Sequence, residues 1–171
     1  MSTEPKWLSA EERATWVQLS AVLTLLPATL DSQLRRDADL TLFEYYVLAM
    51  LSEAPDRTLR MSALASQTSA TLSRLSHVVT RLGDRGLVDR FTCPEDGRAT
   101  NVRLTALGWT RLQEAAPRHV ATVREHVIDA LTPGQVTQLS KITTALLTRL
   151  DPDGAMTATN IKSPSRSAAP A

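Results

Sequence analysis

The feature that most constrains this chain is a series of short elements in its middle, each ended by turn-forming residues. Met61–Gln67 is long enough for about two helical turns. Thr68 and Ser69 then separate it from a longer helix predicted over Thr71–Arg85. Gly86 follows that helix and suits the left-handed position just after a helix end. A short helix, a tight turn and a second helix are therefore expected in succession.

Two strand-like segments follow this helical pair. Leu87–Phe91 and Asn101–Leu104 are rich in β-forming residues, and Pro94–Gly97 between them is typical of a turn. The expected hairpin has a polar, basic tip. Because these elements together make up a winged helix–turn–helix, the fold class is predicted to be mainly α with a small β-hairpin wing.

Helices are also predicted on both sides of this unit. Capping boxes, in which a side chain at the helix start and one three residues later satisfy backbone N–H groups, are expected at Ser9 and Thr41. Thr105 is expected to cap a helix that reaches about Leu131, and Thr132 to begin the last helix. The flanking helices expected to form a helical dimerisation region cover residues 9–34, 106–131 and 133–150.

Three helix-disfavouring residues lie inside these predicted helices. Pro27 and Pro117 each lack a backbone N–H and crowd the preceding turn, so a kink or a break is expected at Pro27 and a kink at Pro117. Gly83 lies inside Thr71–Arg85, where glycine costs roughly 1 kcal/mol relative to alanine. Close packing against a neighbour would explain why a glycine stands there.

The chain of 171 residues is long enough for one domain with a hydrophobic core. Residues 1–6 and 151–171 have little to bury and are predicted to be disordered, which leaves one domain over 7–150. The N-terminal sequence has no long apolar core of a signal peptide, and Val17–Leu30 is too short to span a bilayer. A cytoplasmic protein without a membrane partner is expected.

Charge is distributed unevenly along the sequence. The formal net charge is only +1, which taken alone argues against a polyanionic partner. From Arg57 to Arg103, eight arginines stand against four acids, a net of +4, while the remainder carries eleven bases and fourteen acids, a net of −3. Positive charge is concentrated on the predicted winged unit, as expected for a surface that binds DNA.

The helix predicted over Thr71–Arg85 has two faces. Its apolar face, expected to pack on the short helix and the hairpin, consists of Leu72, Leu75, Val79 and Leu82. The adjacent face carries donors and cations that can bond bases or phosphates in a major groove. The candidate DNA-contacting residues on or beside this helix are Ser69, Thr71, Ser73, Arg74, His77 and Arg81, and the candidates for phosphate contacts are Arg60, Arg81, Arg85 and Arg90. An ordinary solvated helix would have a similar face, but the neighbouring turn and hairpin favour DNA binding.

Three sequence patterns extend this interpretation. They are V-x-R-L-x-x-R-G-L-V at Val79–Val88, D-x-R at Asp96–Arg98 and V-x-L-T-x-x-G at Val102–Gly108. With them, the segment resembles the winged helix–turn–helix of the multiple antibiotic resistance regulator (MarR) family, and the resemblance covers about residues 8–150. It implies a homodimeric transcriptional regulator, a repressor rather than an activator, that binds double-stranded DNA at a pseudo-palindromic operator through residues 57–104.

The resemblance also assigns roles to single residues in the wing. By position, Arg98 is the wing-tip arginine expected in the minor groove, and Asp96 would orient Arg98 or a neighbouring arginine through a salt bridge. Taken alone, Asp96 to Arg98 would be an ordinary turn. The winged context favours the DNA role.

Two further implications concern an effector. The resemblance implies a small aromatic or phenolic ligand that binds where the dimerisation helices meet the winged unit and releases the repressor from its operator. Candidate lining residues are Trp16, Ser20, Leu23, Tyr45 and Tyr46, of which Trp16 and Tyr45 are more typical of core aromatic residues. The alternative is a redox-gated DNA binder that uses Cys93, or a constitutive one. The peroxide-sensing branch of the family has its reactive cysteine near the N-terminus, so an inert Cys93 is favoured.

Other function classes find little support in the sequence. It shows no glycine-rich phosphate loop, no nucleophile elbow and no paired His and Asp near a Ser or Cys, so no enzyme is predicted. One cysteine and the dispersed His77, His119 and His126 predict no metal site and no cofactor. A helical protein-interaction module without DNA binding is the remaining, less favoured interpretation.

Overall fold

The computed structural model describes residues 5–93 and 96–156, while the side chains of Cys93, Asp96 and Arg98 lie outside the described part. Its α-helices are α1 (Ala10–Ala38), α2 (Leu42–Glu53), α3 (Met61–Gln67), α4 (Leu72–Asp84), α5 (Ala106–Val123) and α6 (Pro133–Leu150). Its strands are β1 (Thr58–Arg60), β2 (Val88–Cys93) and β3 (Asp96–Leu104). A 3₁₀ turn at Pro55–Arg57 leads into β1, and a π-helical turn at Arg124–Ile128 extends α5.

The helix starts are formed by the residues that the sequence indicates. Capping boxes are present at Ser9, Thr41 and Thr132. At Thr41 the hydroxyl accepts from the Glu44 N–H at 3.1 Å, and the Glu44 carboxylate accepts from the Thr41 N–H at 2.7 Å. Thr105 caps α5. These predictions are confirmed because each cap depends only on residues within one turn of the chain.

Neither proline ends its helix. α1 continues through Pro27 to Ala38, beyond the predicted end at residue 34, and α5 continues through Pro117 to Val123. The helix is therefore not broken at Pro27, which excludes one of the two outcomes expected there, and the kinks expected at Pro27 and Pro117 stay predictions. Most side chains between residues 21 and 28 are exposed, so water can solvate the carbonyl group that Pro27 leaves without a donor.

The strands form one antiparallel sheet in the order β1-β3-β2, with β3 in the centre. Val88 pairs with Leu104 and Thr58 with Arg103, and the register shifts between Thr92 and Cys93. The hairpin strands are longer than predicted. The wing is thus a hairpin that a third short strand attaches to the helical pair.

One hydrophobic core joins the second half of α1 to α2, the helical pair and the sheet. Leu34, Leu48 and Leu64 are fully buried in it. From α4, the predicted Leu75, Val79 and Leu82 are buried together with Val78. Leu72 is wrong as a core prediction, because this first residue of α4 is 55% exposed and lines an open cavity with Leu150 and Met156.

Two helical segments lie outside this core. α6 has no buried residue, and its apolar side chains Leu139, Ile142, Leu146 and Leu150 are exposed. The first half of α1 likewise exposes Trp16, Val17, Val22, Leu23 and Leu25. In a single chain these two apolar surfaces remain without cover.

The chain after α6 continues into a short turn. The Asp151 carboxylate accepts from the backbone N–H groups of Ala155 and Met156, each at 2.9 Å. These two hydrogen bonds form the turn at residues 151–156, and the disorder that the sequence predicts from residue 151 stays a prediction. The rest of that segment, 157–171, and residues 1–4 lie outside the described part. Among the described residues, no helix is long and apolar enough to cross a membrane.

Candidate DNA-binding surface

The start of α4 presents a cluster of exposed polar groups. Ser69 has a φ of +49°, and the Ala70 N–H donates to the Ala65 carbonyl at 2.9 Å, which closes the turn between α3 and α4. The Thr71 hydroxyl then accepts from the Arg74 N–H at 3.2 Å and caps α4. These two hydrogen bonds fix the turn and the first residues of α4, and the start of the helix is exposed. The free backbone N–H groups there favour the binding of an anion.

The predicted DNA-contacting residues share this exposed surface. Ser69, Thr71, Ser73, Arg74, His77 and Arg81 are all exposed. Their spacing places them along one side of α4, from the turn to the last turn of the helix. We call this set the α4 surface.

The two arginines of α4 and its C-cap arginine all contact one short segment of the chain. The guanidinium of Arg74 lies over the Phe43 ring, 4.4 Å from its centroid. Arg81 forms an ion pair with Glu44 at 3.3 Å. Arg85, the C-cap of α4, donates to the Asp39 carbonyl at 2.7 Å. The α1–α2 connection and the start of α2 are therefore the support on which α4 rests.

The sequence alone did not identify this support. Phe43 and Asp39 were not singled out, and Glu44 was identified only as the partner of Thr41 in a capping box. No periodic signal marks such contacts, because they join residues that are 31 to 46 positions apart.

The support is itself fixed by Asp31. One carboxylate oxygen of Asp31 accepts from Arg35 at 2.6 Å, and the other accepts from the Leu42 N–H at 2.8 Å. Burial alone would raise the pKa of Asp31, but these two hydrogen bonds outweigh it and hold the pKa below its ordinary value. The charged carboxylate thus ties the last third of α1 to the start of α2.

The wing carries further cations. On its strands, Arg103 pairs with Asp89 at 3.1 Å, and its guanidinium lies 5.4 Å from the Phe91 ring centroid. Arg90 donates to the Thr80 hydroxyl at 3.3 Å, which links β2 to α4. Arg60 ends β1 and is exposed.

The wing-tip side chains named in the sequence analysis, those of Cys93, Asp96 and Arg98, lie outside the described part. The minor-groove role of Arg98, the salt bridge of Asp96 and an inert Cys93, with its redox-active alternative, therefore stay predictions.

The five candidate ligand residues fall into two groups. Trp16, Ser20 and Leu23 lie on the first half of α1, where the Ser20 hydroxyl donates to the Trp16 carbonyl at 2.8 Å. Tyr45 is half-buried on α2, with its ring 4.4 Å from that of His119 on α5. Tyr46 lines a cavity of about 390 Å³ together with Pro27, Phe43 and Arg74. Of these five residues, Tyr46 adjoins the α4 surface, through the cavity that it shares with Arg74.

Burial changes the titration of the aromatic pair. His119 is 7% exposed, and burial lowers its pKa below the ordinary value. Burial also raises the pKa of Tyr45. Both side chains are therefore neutral at pH 7. Within the described residues, no three His, Cys, Asp or Glu side chains are grouped so as to hold a metal ion.

Comparison with known proteins identifies the family. The sequence model of the MarR family matches residues 40–100. Sco3205, a MarR family transcriptional regulator from Streptomyces coelicolor solved in complex with DNA, is 43% identical, with a TM-score of 0.84 over 88% of this chain and 94% of that one. This chain belongs to the MarR family. The family resemblance and the winged-helix fold class predicted from the sequence are both confirmed, and the protein is a MarR family transcriptional regulator.

Two further relatives support the assignment. AbsC, another MarR family transcriptional regulator from Streptomyces coelicolor, is 37% identical, with a TM-score of 0.80 over 85% of this chain and 98% of that one. The HTH-type transcriptional repressor IacR from Pseudomonas putida is 30% identical over 110 residues, which are 64% of this chain and 64% of that repressor. The match thus spans just under two thirds of IacR.

Proposed function

We propose that this MarR family regulator is a repressor that binds a pseudo-palindromic operator in double-stranded DNA as a homodimer. The observation that carries the proposal is the α4 surface, an exposed row of donors and cations at the start of a helix that follows a tight turn. The DNA-bound Sco3205, at 43% identity, supports the same use of the fold here. The IacR repressor supports the direction of regulation.

In the proposed complex, α4 lies in the major groove. Ser69, Thr71 and Ser73 donate to phosphates or bases at the leading end, and Arg74 and His77 contact base edges. Because the Thr71 hydroxyl already accepts from the Arg74 N–H, its own proton remains free to be donated to a phosphate.

The wing completes the proposed contact with each half-site. Arg98 enters the minor groove, and Arg60 and Arg90 lie where phosphates pass. The net charge of +4 between Arg57 and Arg103 favours the approach of the duplex to this face of the molecule.

The proposed homodimer forms through the uncovered helices. α6 has no buried residue and exposes Leu139, Ile142 and Leu146, and the first half of α1 exposes Trp16 and Leu23. Apolar area of this kind on a soluble chain marks an interaction surface. A second copy of the chain would bury it and place two α4 surfaces side by side for the two half-sites.

The proposed effector is a small aromatic or phenolic molecule. The cavity that Tyr46 lines has room for one ring system, at about 390 Å³, and it reaches both Phe43 and Arg74. A ligand there would contact the support of α4 directly and would release the operator by shifting α4.

The DNA proposal is tested by fluorescence anisotropy with duplexes from the region upstream of the gene. We expect specific, salt-dependent binding that the double variant Arg74→Ala/Arg98→Ala abolishes. Arg111→Ala is the matched control, because this arginine on α5 pairs with Glu114 outside the winged unit. Operator binding that survives the double variant would exclude the proposed interface.

The effector proposal is tested on the preformed operator complex with 4-hydroxybenzoate and phenol, and in parallel with hydrogen peroxide. We expect the aromatic compounds to release the protein from its operator, and we expect Phe43→Ala to weaken this release. Release by peroxide that Cys93→Ser prevents would instead establish the redox-gated alternative. Stable binding under every condition would indicate a constitutive DNA binder.

A further inference from the structure

The side chains on and beside α4 are not equivalent in their surroundings. Arg74 and His77, in the first half of α4, are exposed, and the Arg74 guanidinium lies over the Phe43 ring. Arg81 and Arg85, in its last turn and at its C-cap, instead face one buried carboxylate. That carboxylate belongs to Glu44 on α2. Arg81 and Arg85, which face a buried acid at the end of α4, are therefore expected to have a different role from the exposed residues at its start.

The Glu44 carboxylate is placed by its own helix. Its side chain is only 6% exposed. One oxygen accepts from the Thr41 N–H at 2.7 Å, so the local cap fixes the side chain before any ion pair forms. The other oxygen lies 3.3 Å from Nη2 of Arg81, and Nη1 of Arg85 lies at 4.0 Å from the capped oxygen. The acid therefore forms an ion pair with Arg81, and Arg85, one helical turn further on, lies at a longer distance from the same carboxylate.

A second contact fixes the same end of α4. Nη2 of Arg85 donates to the Asp39 carbonyl at 2.7 Å and approaches the Asp39 carboxylate at 3.2 Å. The Asp39 side chain is 92% exposed, so water screens its charge and the ion pair contributes little. The backbone carbonyl is the fixed partner, because Asp39 is the left-handed C-cap of α1.

These contacts constrain the orientation of α4. The apolar contacts of Leu75, Val79 and Leu82 hold α4 on the core but permit small rotations about its axis. The hydrogen bond from the Arg85 guanidinium to the Asp39 carbonyl and the ion pair of Arg81 with Glu44 resist such rotations. Since base readout requires donors to be placed within a fraction of an ångström, a small rotation at the supported end would misplace Arg74 and His77 at the other.

We propose that Glu44 is a positioning residue for DNA recognition, and that Arg81 and Arg85 act through Glu44 and Asp39 and make no contact with DNA. This inference rests on the proposed DNA-binding function, and it narrows the predicted contact set to the first half of α4. Arg81 lies seven residues after Arg74, about 10 Å further along the helix. Its guanidinium stabilises the buried acid that holds the helix.

The test is a double-mutant cycle on operator binding with Glu44→Gln, Arg81→Gln and the combined variant. Glutamine keeps an oxygen that can accept from the Thr41 N–H, so the cap of α2 is retained while the charge is lost. We expect each single variant to weaken operator binding about tenfold, and the combined variant to be no weaker than the worse single one. Arg111→Gln, which removes an arginine from another ion pair, should leave binding unchanged.

The salt dependence of binding separates positioning from direct contact. A phosphate-contacting arginine contributes about one unit to the slope of log affinity against log salt concentration. We expect Arg81→Gln to leave this slope at its wild-type value. A slope reduced by about one unit per protomer, or losses that add in the cycle, would show that Arg81 contacts DNA and would overturn the inference.

Two measurements keep the result interpretable. Urea unfolding of each variant shows whether weaker binding reflects unfolded protein, and an affinity loss that disappears after correction for the folded fraction would also overturn the inference. Should Glu44→Gln fail to fold, the slope measured with Arg81→Gln decides the question, because that side chain is 59% exposed. A wild-type protein that binds no upstream DNA at all would contradict the proposed DNA-binding function itself, and this result is distinct from a failure of the positioning role of Glu44.

Discussion

The winged unit and the uncovered helices, α6 and the first half of α1, contain similar apolar side chains. These side chains are buried in the winged unit and exposed on the uncovered helices. In the winged unit, Leu64, Leu75, Leu82 and Val102 are completely buried within one chain. On α6, Ile142 is 56% exposed and Leu150 is 79% exposed, although both follow the same helical spacing. The first region closes on itself, whereas the second requires another surface to cover it.

The two regions are therefore expected to differ in how their stability depends on protein concentration. Folding of the winged unit depends on contacts within one chain, so it should not depend on protein concentration. Burial of α6 and of the first half of α1 in the proposed homodimer should depend on concentration. Substitutions in the two regions are therefore expected to affect different measurements.

The largest effect is expected from Ile142→Asp. A carboxylate in the middle of the α6 apolar face would enter the proposed interface twice, once from each protomer, and burial of unpaired charge is costly. We expect the dimer dissociation constant to rise about a thousandfold, which corresponds to roughly 4 kcal/mol. Analytical ultracentrifugation measures this constant directly.

Thr137→Asp is the matched control for that substitution, since helical spacing places Thr137 on the side of α6 away from Leu139, Ile142 and Leu146, and it is exposed. It should leave the association unchanged. Equal dissociation of both variants, or of neither, would show that the apolar face of α6 is not the interface.

A smaller effect, confined to the winged unit, is expected from Gly108→Ala. A Cβ atom at this position would lie 2.0 Å from the Leu87 carbonyl oxygen and 2.7 Å from a methyl group of Leu104. The start of α5 would have to move off the sheet, at a cost of about 2–3 kcal/mol. Urea unfolding should show this loss at every protein concentration.

Gly134→Ala provides the comparison for Gly108. A Cβ atom at Gly134, in the first turn of α6, would meet no atom within 4 Å. Its stability should equal or exceed that of the wild type. A Gly108→Ala protein as stable as Gly134→Ala would mean that α5 is not held so closely to the sheet.

A still smaller effect is expected from pH, through His119. Burial lowers its pKa in the folded protein, so below the unfolded value of about 6.5 the unfolded chain binds the proton more readily. Stability should therefore be highest above this pH and should fall as the pH decreases towards the folded pKa, by at most about 1.4 kcal/mol per pH unit.

The measurement is urea unfolding of the wild type and His119→Leu between pH 7.5 and 5, with the exposed His126→Leu as control. His119→Leu should remove part of the pH dependence, and His126→Leu should not. Identical pH profiles for the wild type and His119→Leu would contradict the expectation.

The smallest effect, a gain in stability, is expected from Gly83→Ala. A Cβ atom at Gly83 would come no closer than 3.7 Å to the Val88 carbonyl oxygen, an ordinary contact, so the expectation that close packing requires this glycine is wrong. Alanine should raise the free energy of unfolding by roughly 0.5–1 kcal/mol through its better helix propensity. A loss of stability in thermal or urea unfolding would contradict this.

Much of the architecture followed from neighbouring residues. The capping boxes at Ser9, Thr41 and Thr132, the short α3 and the left-handed Gly86 are all formed as predicted. Each depends on hydrogen bonds or dihedral angles within a few residues, and the local sequence is sufficient to predict these. The wing strands were also identified, although they extend beyond their predicted bounds.

The candidate site was predicted less completely. The exposed residues at the start of α4 could be named because helical periodicity separates the polar face from the apolar one. The same periodicity placed Leu72 in the core and gave Arg81 the same role as Arg74. It could not show that Leu72 lies beyond the edge of the core or that Arg81 faces Glu44.

The sequence by itself determined the order of the elements, the caps and turns that begin and end them, and the concentration of arginine on the winged unit. Only the tertiary structure decided that α1 continues through Pro27, that Asp39, Phe43 and Glu44 hold the arginines of α4, and that α6 remains uncovered. The reason is physical. Caps, turns and periodicity act over a few residues, whereas ion pairs and burial depend on segments that folding alone brings together.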